Sequence, residues 1–198
     1  DVQIAFANEL SVICDELDID VWELISLANR HPRINILQPG PGVGGHCIAV
    51  DPWFIVSKTP RLAKLIHTAR KVNDAKPEWV INKVKIAISD FLQANPGKTA
   101  MDVNVACYGL AFKPDIDDLR ESPALNITKK IGGFHVGRVI VVEPNIDSLP
   151  SDLIQLELMS LEDALVEGDV QVLLVDHKEF KLIKPKSGLI VDTKGVWK

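Results

Sequence analysis

A cysteine and an aspartate lie four residues apart directly after a run of glycines and prolines, in the segment PGPGVGGHCIAVDPWF of residues 39–54. The cysteine is Cys47 and the carboxylate is Asp51. Glycines let backbone amides approach a ligand because they have no Cβ, and nearby amide dipoles favour the thiolate form of a cysteine. A thiolate beside a carboxylate that can take a proton or position water is suited to nucleophilic catalysis.

Each part of this segment also has a structural explanation. A glycine run serves as a tight connection between helices, an isolated cysteine is more often a small buried hydrophobe than a nucleophile, and Asp51 can cap the segment before Pro52. The combination favours catalysis, because a thiol at the end of a glycine loop is partly exposed. We expect His46 to face away and pack, since adjacent side chains rarely converge on one atom.

A second segment whose residues could bind a ligand is GLAFKPDIDDLRES, residues 109–122. It follows an apolar run, so Lys113 and Arg120 are expected in a loop at the carboxyl edge of a sheet, where fixed cations bind phosphates well. Taken alone, the segment is also typical of a solvated loop with surface charges. Together with the preceding Tyr108 its start reads YGLAFKP, which has one glycine where the dinucleotide fingerprint has three. Any nucleotide that binds here is therefore not bound by a glycine-rich dinucleotide fingerprint.

Helical periodicity dominates the chain up to about residue 95. Apolar residues already form one helical stripe from Val2 onward, and residue 1 is Asp rather than Met, so we expect a truncated chain that starts inside a helix. Pro77 stands at an allowed first-turn position. The pattern predicts helices at residues 2–17, 20–30, about 60–73 and 77–94.

Short β-branched runs follow the turn signal NPGKT at residues 95–99. They predict strands within residues 104–110, 137–144, 170–177 and 188–193, with helical stretches at 122–132 and 160–167 between them. Strands alternating with helices indicate a parallel, doubly wound sheet. The predicted fold class is α/β: an all-helical dimerisation domain, residues 1–97, followed by a Rossmann-like doubly wound parallel-sheet domain, residues 98–198.

Composition narrows the classes of partner. The net charge is −5, from 22 basic and 27 acidic residues, which gives no general attraction to nucleic acid or anionic membranes. No apolar run approaches the ~18 residues of a membrane span, and nothing resembles a signal peptide. The cysteines predict neither a disulfide framework nor a zinc site, and a reducing cytoplasm is the expected compartment. There are three of them: Cys14, Cys47 and Cys107.

The two motifs, in this order and about sixty residues apart, resemble the nucleotide-sugar 6-dehydrogenase family that contains UDP-glucose dehydrogenase. GGHC followed by AVDPWF, and preceded by HPRINILQPGPG, is more similar to the branch that acts on UDP-N-acetylmannosamine than to the glucose enzymes. UDP-N-acetylglucosamine and UDP-N-acetylgalactosamine stay alternatives, because pocket shape decides the C2 epimer. The resemblance covers the whole chain and implies a central domain forming a homodimer and a UDP-binding domain. We expect the family's N-terminal NAD-binding domain to be absent from this chain.

The resemblance also implies a four-electron oxidation with NAD as cofactor. A hydride leaves C6 to give an aldehyde, Cys47 adds to it as the nucleophile, and a second hydride leaves a thioester that water hydrolyses. Asp51 matches the carboxylate near that water. Sulfur suits both stages, because it adds readily to an aldehyde and leaves readily from a thioester. We expect this chain alone to be inactive.

The remaining site residues are assigned by matching the family motifs. Arg120 matches a residue that contacts NAD, and the pair from the HPR segment matches substrate contacts in the neighbouring subunit's site. Lys194 is a rival to the terminal lysine as a substrate contact. The expected substrate contacts are His31, Arg33, Gly42, Gly44, Phe112, Lys113 and Lys198. Two other classes remain open: a non-catalytic UDP-sugar-binding module, and a dimerisation scaffold with a structural Cys47.

Overall fold

A long helix connects an N-terminal group of helices to a parallel sheet in the computed structural model, which describes residues 1–197. The helices are α1 (Val2–Glu16), α2 (Val21–Ala28), α3 (Asp51–Lys58), α4 (Lys64–Ala94), α5 (Pro123–Phe134) and α6 (Leu161–Glu167). The strands are β1 (Val105–Tyr108), β2 (Val139–Val142), β3 (Glu157–Leu158), β4 (Val170–Leu173) and β5 (Leu189–Asp192).

The five strands form one sheet in the order β3-β2-β1-β4-β5, and every pairing is parallel. On the central strand, Tyr108 pairs with Val142 on one side and Leu173 on the other. The carboxyl ends of these strands therefore meet at one edge of the sheet. The prediction of an α/β fold with a parallel sheet is confirmed, and the second motif begins at this edge.

Helices cover both faces of the sheet. On one face, α4 and α5 pack against alternate residues of the strands, with Val84, Ile127 and Val105 fully buried. On the other face, α6 and aromatic residues near the C-terminus pack around Tyr108, and its ring lies edge-on to that of Trp197. This alternation follows from the period-2 geometry of a strand.

The prediction of separate helices at 60–73 and 77–94 is wrong, because α4 runs without a break from Lys64 to Ala94 and contains Pro77. A proline lacks the N–H for one helical hydrogen bond, and this favoured the predicted break. Packing outweighs that cost: α4 contacts α1, α3, α5 and the sheet, and apolar residues of its second half, such as Val84, lie in the core. The apolar stripe of the second half is thus buried within the chain.

The sequence pattern did not predict two elements. Helix α3 has no buried residue, so it lacks the apolar stripe that identifies an amphipathic helix. Strand β3 has only two residues, at the edge of the sheet. The other predicted elements are present with shorter bounds, except that α5 continues to Phe134, two residues beyond its predicted end. The division at residues 97 and 98 stays a prediction, since α4 packs against elements on both sides of it.

Candidate functional site

Cys47 lies in an exposed turn directly before α3. The backbone N–H of Asp51 donates to the carbonyl oxygen of Cys47 at 2.8 Å, so the two residues stand one helical turn apart. Asp51 is the first residue of α3, and Val50 rather than Asp51 is in the capping position. The structure thus places the predicted thiol and carboxylate together at the start of a helix, both exposed.

The other two cysteines lie in the interior. Burial raises the pKa of the Cys107 thiol to about 12, with a smaller opposing effect from a hydrogen bond to Thr128. Burial also raises the pKa of Cys14, and the charge of Asp20 adds to the effect. Since a thiolate is the reactive form, Cys47 is the cysteine of this chain placed for nucleophilic chemistry.

The glycines before Cys47 bring the two motifs into contact. A Cβ on Gly44 would lie 2.5 Å from the carbonyl oxygen of Glu121 and 3.0 Å from the Cβ of Phe112. Gly42 has a φ of 149°, and a Cβ there would lie 2.9 Å from the Cβ of Pro123. Both glycines therefore permit close packing of protein on protein. Their role as substrate contacts stays a prediction.

A buried carboxylate, Glu143, anchors the start of the second motif. One of its oxygens accepts hydrogen bonds from the backbone N–H groups of Leu110 and Ala111, at 2.7 and 3.2 Å, and lies 3.1 Å from Nε2 of His177. Burial would raise the pKa of Glu143, but hydrogen bonds from His177 and Leu110 outweigh it and lower the pKa to about 2. Glu143 is therefore a fixed negative charge at the carboxyl edge of the sheet.

His177 extends this anchor further along the loop. Its Nδ1 accepts a hydrogen bond from the backbone N–H of Asp115 at 2.9 Å, so the other ring nitrogen carries the proton that faces Glu143. A carboxylate oxygen of Asp115 in turn accepts from the backbone N–H of Lys178 at 3.0 Å. The sequence analysis missed Glu143 and His177. The sequence signal that could have identified them is a polar residue following an apolar run, because such residues lie at the sheet edge where ligands bind.

The predicted phosphate-binding cations of the second motif differ in their surroundings. Lys113 is exposed, and its Nζ lies 5.7 Å from the centre of the Phe112 ring. Arg120 is bound to its neighbour Asp118, with Nε donating to Oδ1 at 2.9 Å and Nη2 to Oδ2 at 2.6 Å. The hydrogen bonds from Arg120 lower the pKa of Asp118 to about 2. The guanidinium is thus already paired, whereas Lys113 faces solvent.

The remaining predicted contacts fall in different places. His31 and Arg33 lie exposed after α2, and the backbone N–H of Arg33 donates to Nδ1 of His31 at 3.2 Å. Among residues 1–197, no side-chain hydrogen bond or ion pair joins this pair to the Cys47 turn. Lys194 approaches the other end of the glycine segment, because a Cβ on Gly40 would lie 3.6 Å from its Nζ. The prediction for Lys198 lies outside the described residues.

A cavity of about 460 Å³ lies between the glycine segment, α4 and the second motif. Its walls include Val43, Ala49, Pro77, Leu119 and Ser122. Within residues 1–197, no group of three or more His, Cys, Asp or Glu side chains is arranged to hold a metal ion. None of the helices described is both long and apolar enough to cross a membrane.

Two family models match the chain. Residues 1–75 match the central domain of the UDP-glucose/GDP-mannose dehydrogenase family, and residues 106–198 match the UDP binding domain of the same family. The two matches cover most of the chain, and they divide between the segment with Cys47 and the segment with Lys113.

Curated relatives are similar over the whole chain. The UDP-N-acetyl-D-mannosamine dehydrogenase of Yersinia pestis is 65% identical and that of Escherichia coli K12 is 60% identical, each over 100% of this chain and 48% of the relative. An NDP-N-acetyl-D-galactosaminuronic acid dehydrogenase of Ralstonia solanacearum is 55% identical, over 45% of its length. The chain therefore spans about half the length of the curated relatives it matches.

Solved structures share the fold. A UDP-D-ManNAc dehydrogenase of Pyrococcus horikoshii superposes with a TM-score of 0.81 at 31% identity, over 100% of this chain and 46% of that one. A UDP-N-acetyl-mannosamine dehydrogenase of Staphylococcus aureus gives a TM-score of 0.76 at 39% identity, over 100% and 45%.

Proposed function

Because this chain belongs to the UDP-glucose/GDP-mannose dehydrogenase family, we propose that it is part of an enzyme that oxidises UDP-N-acetyl-D-mannosamine at C6 to the uronate. Relatives that carry this dehydrogenase name are 60 to 65% identical to it. A relative named for a galactosaminuronic acid dehydrogenase is 55% identical, so UDP-N-acetylgalactosamine is the nearest alternative substrate.

The observation that carries the proposal is the pairing of an exposed Cys47 with Asp51 one helical turn later. The Cys47 thiolate adds to the C6 aldehyde, forming a carbon–sulfur bond and an alkoxide oxygen. At the thioester stage, water adds to the same carbon, the carbon–sulfur bond breaks, and the thiolate leaves. Asp51 takes the proton that this water loses. The covalent bond keeps the aldehyde in the site between the two oxidations.

The residues described do not fit NAD, the hydride acceptor that the family resemblance implies. Gly109 is the single glycine of the strand-to-loop turn, and a Cβ there would lie 2.4 Å from the Cβ of Val175, so it serves protein packing. Arg120 is already paired with Asp118. The steps assigned to this chain are therefore thiol addition and thioester hydrolysis, and we propose that the chain alone produces no NADH.

We assign the UDP part of the substrate to the carboxyl edge of the sheet. The loop anchored by Glu143 presents the exposed ammonium of Lys113, which is suited to a phosphate oxygen. Lys194 lies beside Gly40, at the start of the glycine segment, and its Nζ also contacts Asp176 at 3.2 Å. The contact of Lys194 with the glycine segment supports it as a second basic contact beside Lys113.

We further propose a homodimer formed through α1. Its outer face exposes Phe6 and Ile13 at 53 and 49% of their surface, and Leu17, directly after the helix, is 61% exposed. Exposed apolar residues on one helix face favour association. In such a dimer, Arg33 reaches the partner's site from its exposed turn. Sedimentation at micromolar concentration tests this, and a monomer contradicts it.

Alkylation of the native chain with iodoacetamide tests the role of Cys47. We expect Cys47 to react at least about 100-fold faster than Cys14 or Cys107, because only its thiol is accessible and the others have raised pKa values. UDP-N-acetylmannosamine should slow the reaction, and Cys47→Ser should abolish it. Equal labelling of the three cysteines contradicts the proposed nucleophile and favours a structural role for Cys47.

Calorimetry with UDP tests the proposal that UDP binds at the carboxyl edge of the sheet. Lys113→Ala should weaken binding by roughly 1.5–3 kcal/mol, the usual contribution of a charge-assisted hydrogen bond. Lys130→Ala is the matched control, since this exposed lysine lies on α5 and contacts Glu78. Equal affinity of the Lys113 variant contradicts the assignment. UDP binding without a reactive Cys47 indicates a binding module, and NADH formation by this chain overturns its proposed inactivity.

A further inference from the structure

The contact between α1 and α4 contains a row of buried polar residues where apolar packing would be expected. On α1, Asn8 is fully buried and Ser11 is 6% exposed; on α4, Arg70, Asn73 and Lys76 are at most 4% exposed. Burying polar groups costs free energy unless every group has a partner, so such a row needs a reason beyond helix association.

Asn8 connects this row to the start of the glycine segment. Its Oδ1 accepts a hydrogen bond from the backbone N–H of Gly40 at 2.9 Å, and its Nδ2 donates to Oδ1 of Asn73, also at 2.9 Å. Asn73 in turn donates to the carboxylate of Asp1 at 2.8 Å. The oxygen and the nitrogen of the Asn8 amide thus have different partners, Gly40 and Asn73. These two contacts fix the orientation of the amide.

Arg70 connects the same row to the other end of the segment. Its Nη1 donates to the carbonyl oxygen of Ile48 at 3.5 Å, a long contact, and to the carboxylate of Asp1 at 2.9 Å. Its Nη2 donates to the carboxylate of Asp74. Ile48 is the residue after Cys47, so the guanidinium contacts the exposed turn from its buried side.

We infer that Asn8 and Arg70 are positioning residues that hold the two ends of the segment from Gly40 to Ile48 and so set the place of Cys47. The inference rests on the proposed function, because it assumes that Cys47 is a nucleophile, and a nucleophile needs a defined position relative to its substrate. Polar side chains suit the task because a buried backbone N–H or carbonyl oxygen needs a hydrogen-bond partner, and that partner fixes its position.

Hydrogen exchange of the Gly40 amide in the full 198-residue chain tests this inference. Asn8→Ala removes the acceptor, so the Gly40 amide should exchange about five- to tenfold faster, the factor expected for one hydrogen bond. Asn8→Asp keeps an acceptor oxygen and should restore exchange to within about twofold of the original chain. Both rates are compared after correction for global stability, measured by urea unfolding.

Ser11→Ala is the matched control. Ser11 lies on the same helix, is buried, and accepts from Nζ of Lys76 at 2.5 Å, but it does not contact the Gly40 to Ile48 segment in the described contacts. It should destabilise the chain without a selective effect on Gly40. Equal acceleration by Ser11→Ala, or unchanged exchange in Asn8→Ala, overturns the inference.

A second variant tests the contact at the Ile48 end of the segment. It gives a result even if Asn8→Ala does not fold. Arg70→Lys keeps a positive charge beside Asp1 but shortens the reach to Ile48. The amides of Val50 and Asp51, which close the turn on Cys47, should exchange severalfold faster, while Gly40 stays protected. Unchanged exchange at both amides contradicts the role of Arg70. An unreactive Cys47 thiol would contradict the proposed function alone and leave these exchange results unaffected.

Discussion

The two loops that meet at Phe112 are anchored by different chemistry. The loop after β1 is fixed to the sheet edge by a buried, ionised carboxylate, Glu143, which accepts from backbone N–H groups and from His177. The loop before α3 is held by a neutral amide, Asn8, and by one long contact from Arg70. Hydrogen bonds to charged groups contribute more than neutral ones. We therefore expect the first loop to be held more firmly than the second, which carries Cys47.

Removing the charged anchor should give the largest effect. Glu143→Ala leaves the buried N–H groups of Leu110 and Ala111 and the His177 ring without their acceptor, and since each unsatisfied buried donor costs about 1–3 kcal/mol, we expect a loss of about 3–5 kcal/mol in the free energy of unfolding. Urea unfolding measures it. Glu157→Ala is the control, since Glu157 pairs with Arg138 at the surface and should cost about 0–1 kcal/mol. A loss below about 1 kcal/mol for Glu143→Ala would remove the contrast between the two loops.

Separating the loops should have an intermediate effect. Gly44→Ala places a methyl group 2.5 Å from the Glu121 carbonyl oxygen and 3.0 Å from the Phe112 Cβ, which are not flexible side-chain ends. Overpacking of this kind costs about 1–3 kcal/mol. Gly133→Ala is the matched control, because nothing lies within 4 Å of the added methyl group and α5 gains an alanine. It should be neutral or slightly stabilising. If both variants unfold alike, the loops do not depend on their contact.

Acid should weaken the charged anchor by a smaller amount. The pKa of Glu143 is lowered to about 2 from an ordinary value of 4.5, so its contribution is fully present above pH 4.5 and is lost as the pH falls towards 2. Between these values the carboxyl is only partly protonated in the folded state. Urea unfolding should therefore show a steeper loss of stability in the original chain than in Glu143→Gln. Parallel slopes would mean that other carboxylates dominate acid unfolding.

Local spacing determined the parts of the site that lie within one segment. Cys47 and Asp51 were predicted as a pair from four residues of separation, and the structure places them one helical turn apart. The second motif was predicted at the carboxyl edge of a parallel sheet, and it begins there. These features follow from chain connectivity and from the periodicity of apolar residues, both of which can be read directly from the sequence.

Long-range packing decided the rest. The continuity of α4 through Pro77 depends on the elements that pack along the helix, and the local signal of a proline predicted a break. The glycines suggested close approach to a ligand, but Gly44 lies against Phe112 and Glu121 of the second motif, and Gly42 lies against the first residue of α5. A glycine in a sequence indicates that another group approaches the backbone closely. Which group that is depends on the folded chain.

The anchors of the two loops depended most strongly on tertiary structure. Glu143 and His177 stand 34 residues apart, and Asn8 lies 32 residues from Gly40, so no helical or strand period connects them. Composition and patterning determined that this chain forms helices followed by a parallel sheet with an accessible thiol. Only the folded chain determined which buried polar groups hold that thiol and the facing loop, because each hydrogen bond joins residues that are brought together by packing alone.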